Sequence, residues 1–463
     1  MLFDQKIEIM QDLISLVPPS KFYADILYDS ISSLSIKKNL GGEVVSGNLK
    51  TRGFVFRVFD GQYFHEISTA ASEVPLLADK VQALLDRIEH SQEIDLIPVP
   101  KHTLDQEIRP DNYVDFTKIS LEEKQKKVAW CYNYLSKCPN VINPAISYSD
   151  ILLERIFVNT EGSMLRQKIP RSTLSIMPVV KVENKFDFDI LSFDGVIGFE
   201  IWKKIKAEDL DSLVSSSIEI AQAPFPPSGV MPVILGPTIS GSLSHDVFGH
   251  GVQADQVIRG RSYWKQYFHK EVASELVNIS DDPLRQGLYG AYLFDDEGVL
   301  AQKTPIVENG VLTHYLHSRL TASKLHAELR GNGRRQDFLH PIYARNSNTF
   351  FEPGDFSLTE MIREMSHGVL IESIDFGMED PIGGSLQCNS RSGFLIENGE
   401  KTTRVKGIAL SGNARDLLMN VDAVSNDLCQ FEGLNSRKGR EDIVPVSFGG
   451  VFVRSQKAII GPG

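Results

Sequence analysis

The hydrophobic positions of residues 4–16 recur at helical spacing, so the chain opens on an amphipathic helix. Residues 24–28 carry a short strand pattern. A second strand, 53–59, runs into Asp60 and Gly61 and is answered by residues 62–67, which predicts a hairpin. Residues 73–92 read as a helix, 96–115 as a proline-rich polar linker or extended loop, and 119–137 as a helix with Lys and Glu on its polar side. Strands at 151–158, 164–169 and 173–182 and a helix at 210–221 follow. Proline and glycine cluster at 223–229, a boundary that predicts domains at 1–222 and 230–463. Past a strand at 230–235 the pattern is mostly short strands and turns, broken by a helix around two histidines and by helices at 321–328 and 358–365. Strands and helices do not alternate regularly. The expected class is α+β, with an N-terminal mixed domain and a β-rich C-terminal domain carrying the histidine helix.

Bulk properties narrow the partners. The 463 residues suffice for two or three domains with a sizeable core, and 42% hydrophobic with 23% charged residues fits a globular chain. No apolar run approaches the roughly 18 residues of a membrane span. The amphipathic start carries an early acid and is not a secretion signal. Four cysteines do not make a disulfide framework, so a reducing, cytoplasmic location is expected. A net charge of −12 argues against nucleic acid as a main partner.

The candidate chemistry centres on His245, Asp246 and His250. Imidazoles suit zinc, and an adjacent carboxylate can take a proton from an attacking water. Five residues at 100° each leave the two histidines about 140° apart on a regular α-helix. Convergence on one ion therefore needs a wide turn or an early helix end, either of which Gly249 and Gly251 would permit. The alternative is a helix end with two hydrogen-bonded histidines. Arg334 and Arg335 have the fork geometry to clamp a peptide carboxylate, or else form salt bridges. Asn346 and Asn348 can hydrogen-bond an extended peptide, or cap turns. The run Asp295, Asp296, Glu297, Gly298 reads as a solvated turn or as part of a site. Cys131 and Cys138 lie in a helical region and read as ordinary thiols.

The C-terminal half resembles the TldD/PmbA family, also called the modulator-of-gyrase family. Nine blocks occur in the family's order: HDVFGHG at 245–251 against the family's His-Glu-x-x-Gly-His-Gly, VASEL at 272–276, DDEG at 295–298, VENG at 307–310, GNGRR at 331–335, ARNSNT at 344–349, GFLIENG at 393–399, NDL at 426–428 and VPVSFGG at 444–450. The N-terminal half matches more weakly, through its helix–hairpin opening and NTEG at 159–162. The paired histidines place the chain nearer the TldD branch, since the PmbA-like branch lacks them.

The resemblance implies a zinc-dependent metallopeptidase that hydrolyses short or unfolded peptides inside the tunnel of a homodimer or heterodimer. It implies His245 and His250 as zinc ligands and Asp246 as general base. Two departures stand out. The base is Asp where the family has Glu, one methylene shorter. The family's zinc-binding cysteine falls in a stretch that here reads NSRKGR at 435–440, with Ser436 near its place. A serine hydroxyl is a poor zinc ligand beside a thiolate, so Cys429 and Cys388 are the candidate third ligands. Both departures also suit a catalytically inactive partner subunit of such a heterodimer. The family's older name suggests a third role, in DNA topology, which the acidic balance argues against.

Overall fold

A computed structural model describes residues 3–427, 430–439 and 442–463. Its N-terminal half builds one sheet from long antiparallel strands. Tyr23–Asn39, Gly42–Phe59, Val141–Asn159 and Met164–Val182 run 17 to 19 residues each. The order across the sheet is Phe64–Ala70, Gly42–Phe59, Tyr23–Asn39, Val141–Asn159, Met164–Val182 and Thr103–Glu107. Because successive side chains point to opposite faces, the same stretches of these strands feed two cores. Ile26, Tyr28, Phe54, Phe56 and Val58 pack with residues of the helices Phe3–Ser15 and Leu77–Leu85. Leu27, Val55, Phe157 and Leu165 cluster with Phe294 and Phe338 from the C-terminal half. Helices Leu121–Leu135 and Ala207–Gln222 contribute to the cluster around Tyr148, Leu174 and Ile176.

The mixed α+β class is as expected, and the hairpin at Asp60 and Gly61 forms, with Asp60 Oδ1 accepting from the Gln62 and Tyr63 amides. Three expectations change. The short strand at 24–28 is only the apolar N-terminal part of a longer one, because residues 29–38 are mostly polar yet pair with neighbours on both sides. Ladder hydrogen bonds need no apolar side chain. The stretch 96–115, expected as a linker or extended loop, is mostly irregular but also holds the strand Thr103–Glu107, parallel to Met164–Val182. The helix expected at 73–92 is a 3₁₀ turn followed by Leu77–Leu85.

The C-terminal half holds two larger sheets and the two-stranded pair Gly333–Arg334 with Tyr343–Ala344. One, seven-stranded, includes Gly229–Leu235, His367–Ile371, Phe376–Glu379, Ser385–Glu397 and Val453–Pro462. The other, six-stranded, includes Ile279–Asp281, Asn348–Phe351, Gln430–Lys438 and Asp442–Gly450. The helix Pro237–Leu243 and its continuation join a core in which Val233, Leu243, Val247, Phe248, Phe351 and Val451 meet. The helices expected at 321–328 and 358–365 are Arg319–Leu325 and Leu358–Arg363, the second with a Ser357/Glu360 capping box.

The acidic run at 295–298 is not a solvated turn. Asp295, Asp296 and Glu297 are buried and join the two halves of the chain. Arg57 bridges Asp25 at 2.6 Å and Glu297 at 3.2 Å. Arg155 bridges Asp29 at 3.1 Å and also pairs with Asp296. Backbone amides of Gly333 and Arg335 donate to Asp295 and Asp296. Removing one member of a buried ionic network strands its partners at a cost of about 3–5 kcal/mol. Arg155→Met is expected to lower unfolding stability by that amount, read from denaturant midpoints. A loss below about 1 kcal/mol, the range of exposed pairs, would refute the clamp.

Candidate metal centre

The site begins with a glycine requirement. Helix Pro237–Leu243 lies so close to the strand Asp442–Gly450 that a Cβ at Gly241 would sit 2.5 Å from the Cα and N of Gly449. Pro at the first helical position suits the start. The helix then widens: residues Ser244–His250 form a π-helical segment. Hydrogen bonding from i to i+5 brings the sixth residue back over the first. His250 therefore sits against His245, and the divergence expected of a regular α-helix disappears. The indole of Trp264 donates to the Val247 carbonyl at 2.7 Å, and its ring stacks on Phe248 at 4.7 Å. The wide turn is thus held from outside.

The imidazoles meet edge to face, with Nε2 atoms 3.2 Å apart. Ser436 Oγ completes a triangle, 3.3 Å from His245 Nε2 and 3.1 Å from His250 Nε2. A tetrahedral zinc ion with ligand bonds of about 2.0–2.1 Å separates its ligand atoms by roughly 3.3–3.4 Å. The three donors are spaced to hold one ion without moving far. Burial, reinforced by the nearby Arg345, pushes both imidazoles below their usual range, that of His250 strongly. They are neutral at pH 7, the form that ligates a metal. On spacing and protonation the donor set fits zinc, with the hydroxyl as its weakest member.

Ser436 is fixed by its neighbours. It faces Val444 in the ladder of Gln430–Lys438 with Asp442–Gly450. Arg345, fully buried, donates to the Ser436 carbonyl at 3.0 Å and pairs with Asp442. Lys438, two residues on, bridges Asp255 at 2.6 Å, and burial lowers its ammonium to about 8.

Asn346 touches His245 Nδ1 through its amide at 2.8 Å. With the amide nitrogen facing the ring, Nδ1 accepts and the imidazole proton sits on Nε2, toward His250. Turning the amide by half a rotation presents its oxygen, moves the proton to Nδ1 and frees Nε2 for a metal. Asn346 thus sets the tautomer of the first histidine.

Asp246 lies beside this triangle. It groups with the two histidines, ligand atoms all within 4.8 Å of one another. Its Oδ2 accepts from Ser242 at 2.8 Å, while Oδ1 accepts no hydrogen bond among the described residues. Gly377 leaves the room: a Cβ there would come within 2.8 Å of Asp246 Oδ2. Glu379 on the same strand has its carboxyl pushed well up by burial and by the Asp246 charge.

The other sequence candidates fall elsewhere. Cys388 does not join the histidines; it is buried opposite Gly377 in the ladder, and burial raises its thiol to about 12. Cys429 lies outside the described residues. Arg335 bridges Glu66 at 2.9 Å, and Arg334 donates to the carbonyls of Asn346 and Pro445. Asn348 donates to the Asp282 carbonyl at 2.7 Å. All three are buried, so none lies free along an open groove. Cys131 and Cys138 are free thiols, the first buried in the helical core. Sequence reasoning missed Arg345 and Asp442, and cast Asn346 as a peptide contact. The block ARNSNT was the available signal for Arg345 and Asn346.

Two family models match. One described as PmbA/TldA metallopeptidase C-terminal domain covers residues 228–454, and one described as PmbA/TldA metallopeptidase central domain covers 114–223. A Methanothermobacter thermautotrophicus protein named metalloprotease is 32% identical over 95% of each chain. A Saccharolobus solfataricus protein named zinc metalloprotease TldD homolog is 26% identical over 95% of this chain and 96% of its own. The fold matches a Thermotoga maritima structure described as a modulator of a DNA gyrase, with a TM-score of 0.78 at 22% identity, covering 98% of this chain and all of that one.

Proposed function

We propose a peptidase function from one premise: the chain belongs to the TldD/PmbA metallopeptidase family. Its residues 1–222 and 230–463 are taken as the two domains. The observation that carries the proposal is the triangle of His245 Nε2, His250 Nε2 and Ser436 Oγ. These three residues would hold zinc, with Asn346 fixing the His245 tautomer. Zinc, when bound, supplies Lewis acidity toward a scissile carbonyl and the attacking water. Asp246 takes the proton of that water on its free Oδ1 and returns it to the leaving amine. Ser242 holds the other oxygen and fixes the carboxylate's orientation. The substrates are short or unfolded peptides, reached inside a dimer formed with a second copy or a related subunit.

Elemental analysis of the purified protein beside His245→Ala tests this. About one zinc per chain is expected in the parent and none in the variant. A parent that takes up no zinc even when zinc is supplied would sink the peptidase reading. One observation favours a second reading, a catalytically inactive partner subunit: a hydroxyl stands where the family has a thiolate. In that case a related chain with an intact Glu and Cys is needed for cleavage.

A further inference from the structure

A cavity of about 150 Å³ lies between the N-terminal sheet and the ladder that carries Ser436. Asn435 and Pro445, cross-strand partners, line it, whereas Ser436 contacts the histidines. The cavity is therefore on the opposite face of that ladder from the metal centre. Much of its wall is apolar, including Leu153, Phe294 and Ile443.

Four arginines also reach it, and they divide into two kinds. Arg155 and Arg335 are neutralised by Asp29, Asp296 and Glu66. Arg171 and Arg334 have no carboxylate within ion-pair distance among the described residues, although both are at least 95% buried. Arg171 donates from Nε to the Tyr289 carbonyl at 2.6 Å and from Nη2 to the Ala291 carbonyl at 2.8 Å. Arg334 donates from Nη1 to the Asn346 carbonyl at 2.6 Å and from Nη2 to the Pro445 carbonyl at 2.8 Å. Arg171 Nη1 and Arg334 Nε make no hydrogen bond among the described residues. Burial, with Arg334 and Arg155 close by, pulls the Arg171 guanidinium down to about 9. Asp295, the other acid in the wall, is engaged by three backbone amides, and burial holds its carboxyl well above the usual range. The cavity thus has two buried cations that form no ion pair among the described residues, Arg334 sensing the Asp281 charge only at longer range, beside apolar walls.

We propose that this cavity binds a small carboxylate with an apolar body, held between Arg171 and Arg334. Buried charges are ordinarily paired, and a ligand carboxylate supplies the missing partner. The planar guanidinium fork matches a carboxylate. A cavity volume near 150 Å³ accommodates a body of roughly six carbons, as an apolar protein cavity of that size takes benzene. A phosphate would leave the apolar wall uncovered. The site is independent of the peptidase reading, since it needs neither zinc nor Asp246.

The test uses the full chain, with 4-methylpentanoate as probe and its uncharged amide as control, followed by isothermal titration calorimetry and thermal shift. One site per chain is expected for the acid, with the amide at least about tenfold weaker. Arg171→Met and Arg334→Met are each expected to weaken the acid about tenfold or more, while His245→Ala binds it like the parent. The acid and amide comparison on the unaltered protein decides the matter even where a variant fails to fold. Equal binding of acid and amide, no acid binding tighter than about 1 mM, or inorganic phosphate binding more tightly than the acid would each overturn the proposal.

Discussion

Replacing Ser436 by cysteine is expected to raise zinc affinity by about 100-fold or more, since altering even outer-shell partners changes affinity by 10–100-fold. The serine Oγ already stands 3.1 and 3.3 Å from the two imidazole nitrogens that face it. Its Cβ is fixed by the ladder with Val444 and by the Arg345 bond to its carbonyl. A cysteine inherits that placement and replaces a neutral hydroxyl with a ligand that zinc binds as thiolate. The Arg345 guanidinium, 3.4 Å from the serine oxygen, favours the ionised sulfur. Competition with a chromogenic zinc chelator measures the change against the unaltered protein. An unchanged affinity would mean that position 436 is outside the coordination sphere, and the triangle would lose its meaning as a metal site.

The legible and illegible parts of this centre differ for physical reasons. His245, Asp246 and His250 stand out because they are close in sequence, whereas Ser436 was passed over for Cys429 and Cys388, since nothing local places it against histidines 191 and 186 residues away. The π-helical turn was not legible: i to i+5 bonding is stabilised by Trp264, which reaches the Val247 carbonyl from 17 residues away. Asn346 lies 101 residues from the histidine it touches, so its role follows from a contact that no local pattern encodes. The same limit governed the fold. Asp296 and Glu297 looked like a solvated turn because their arginines, Arg155 and Arg57, are 141 and 240 residues distant. The helices at 121–135 and 207–222 were read well because their apolar stripe and caps are local. Three of the long strands were read only over their most apolar stretch, at 24–28, 53–59 and 151–158, and Met164–Val182 was read as two strands, since the remaining residues are ordered by pairing with remote neighbours.

Asp246→Asn is expected to lower turnover by about 10²–10⁴-fold, the usual contribution of a general base, with zinc content unchanged. The substitution is nearly isosteric, and Ser242 keeps its hydrogen bond to the side-chain oxygen, so the turn that carries the histidines stays in place. What is lost is the capacity of Oδ1 to accept a proton. The loss falls on kcat with KM little changed, because the proton is transferred only on the way to the transition state. The measurement belongs on the Ser436→Cys protein as well as on the parent, using an unstructured fluorogenic peptide and metal analysis of the same samples. Metal analysis separates the two ways of failing. If zinc falls with activity, Asp246 supports the site rather than the chemistry. If zinc stays and turnover is unchanged, the base is another group, and the half-buried Glu379 beside Asp246 is the carboxyl to replace next.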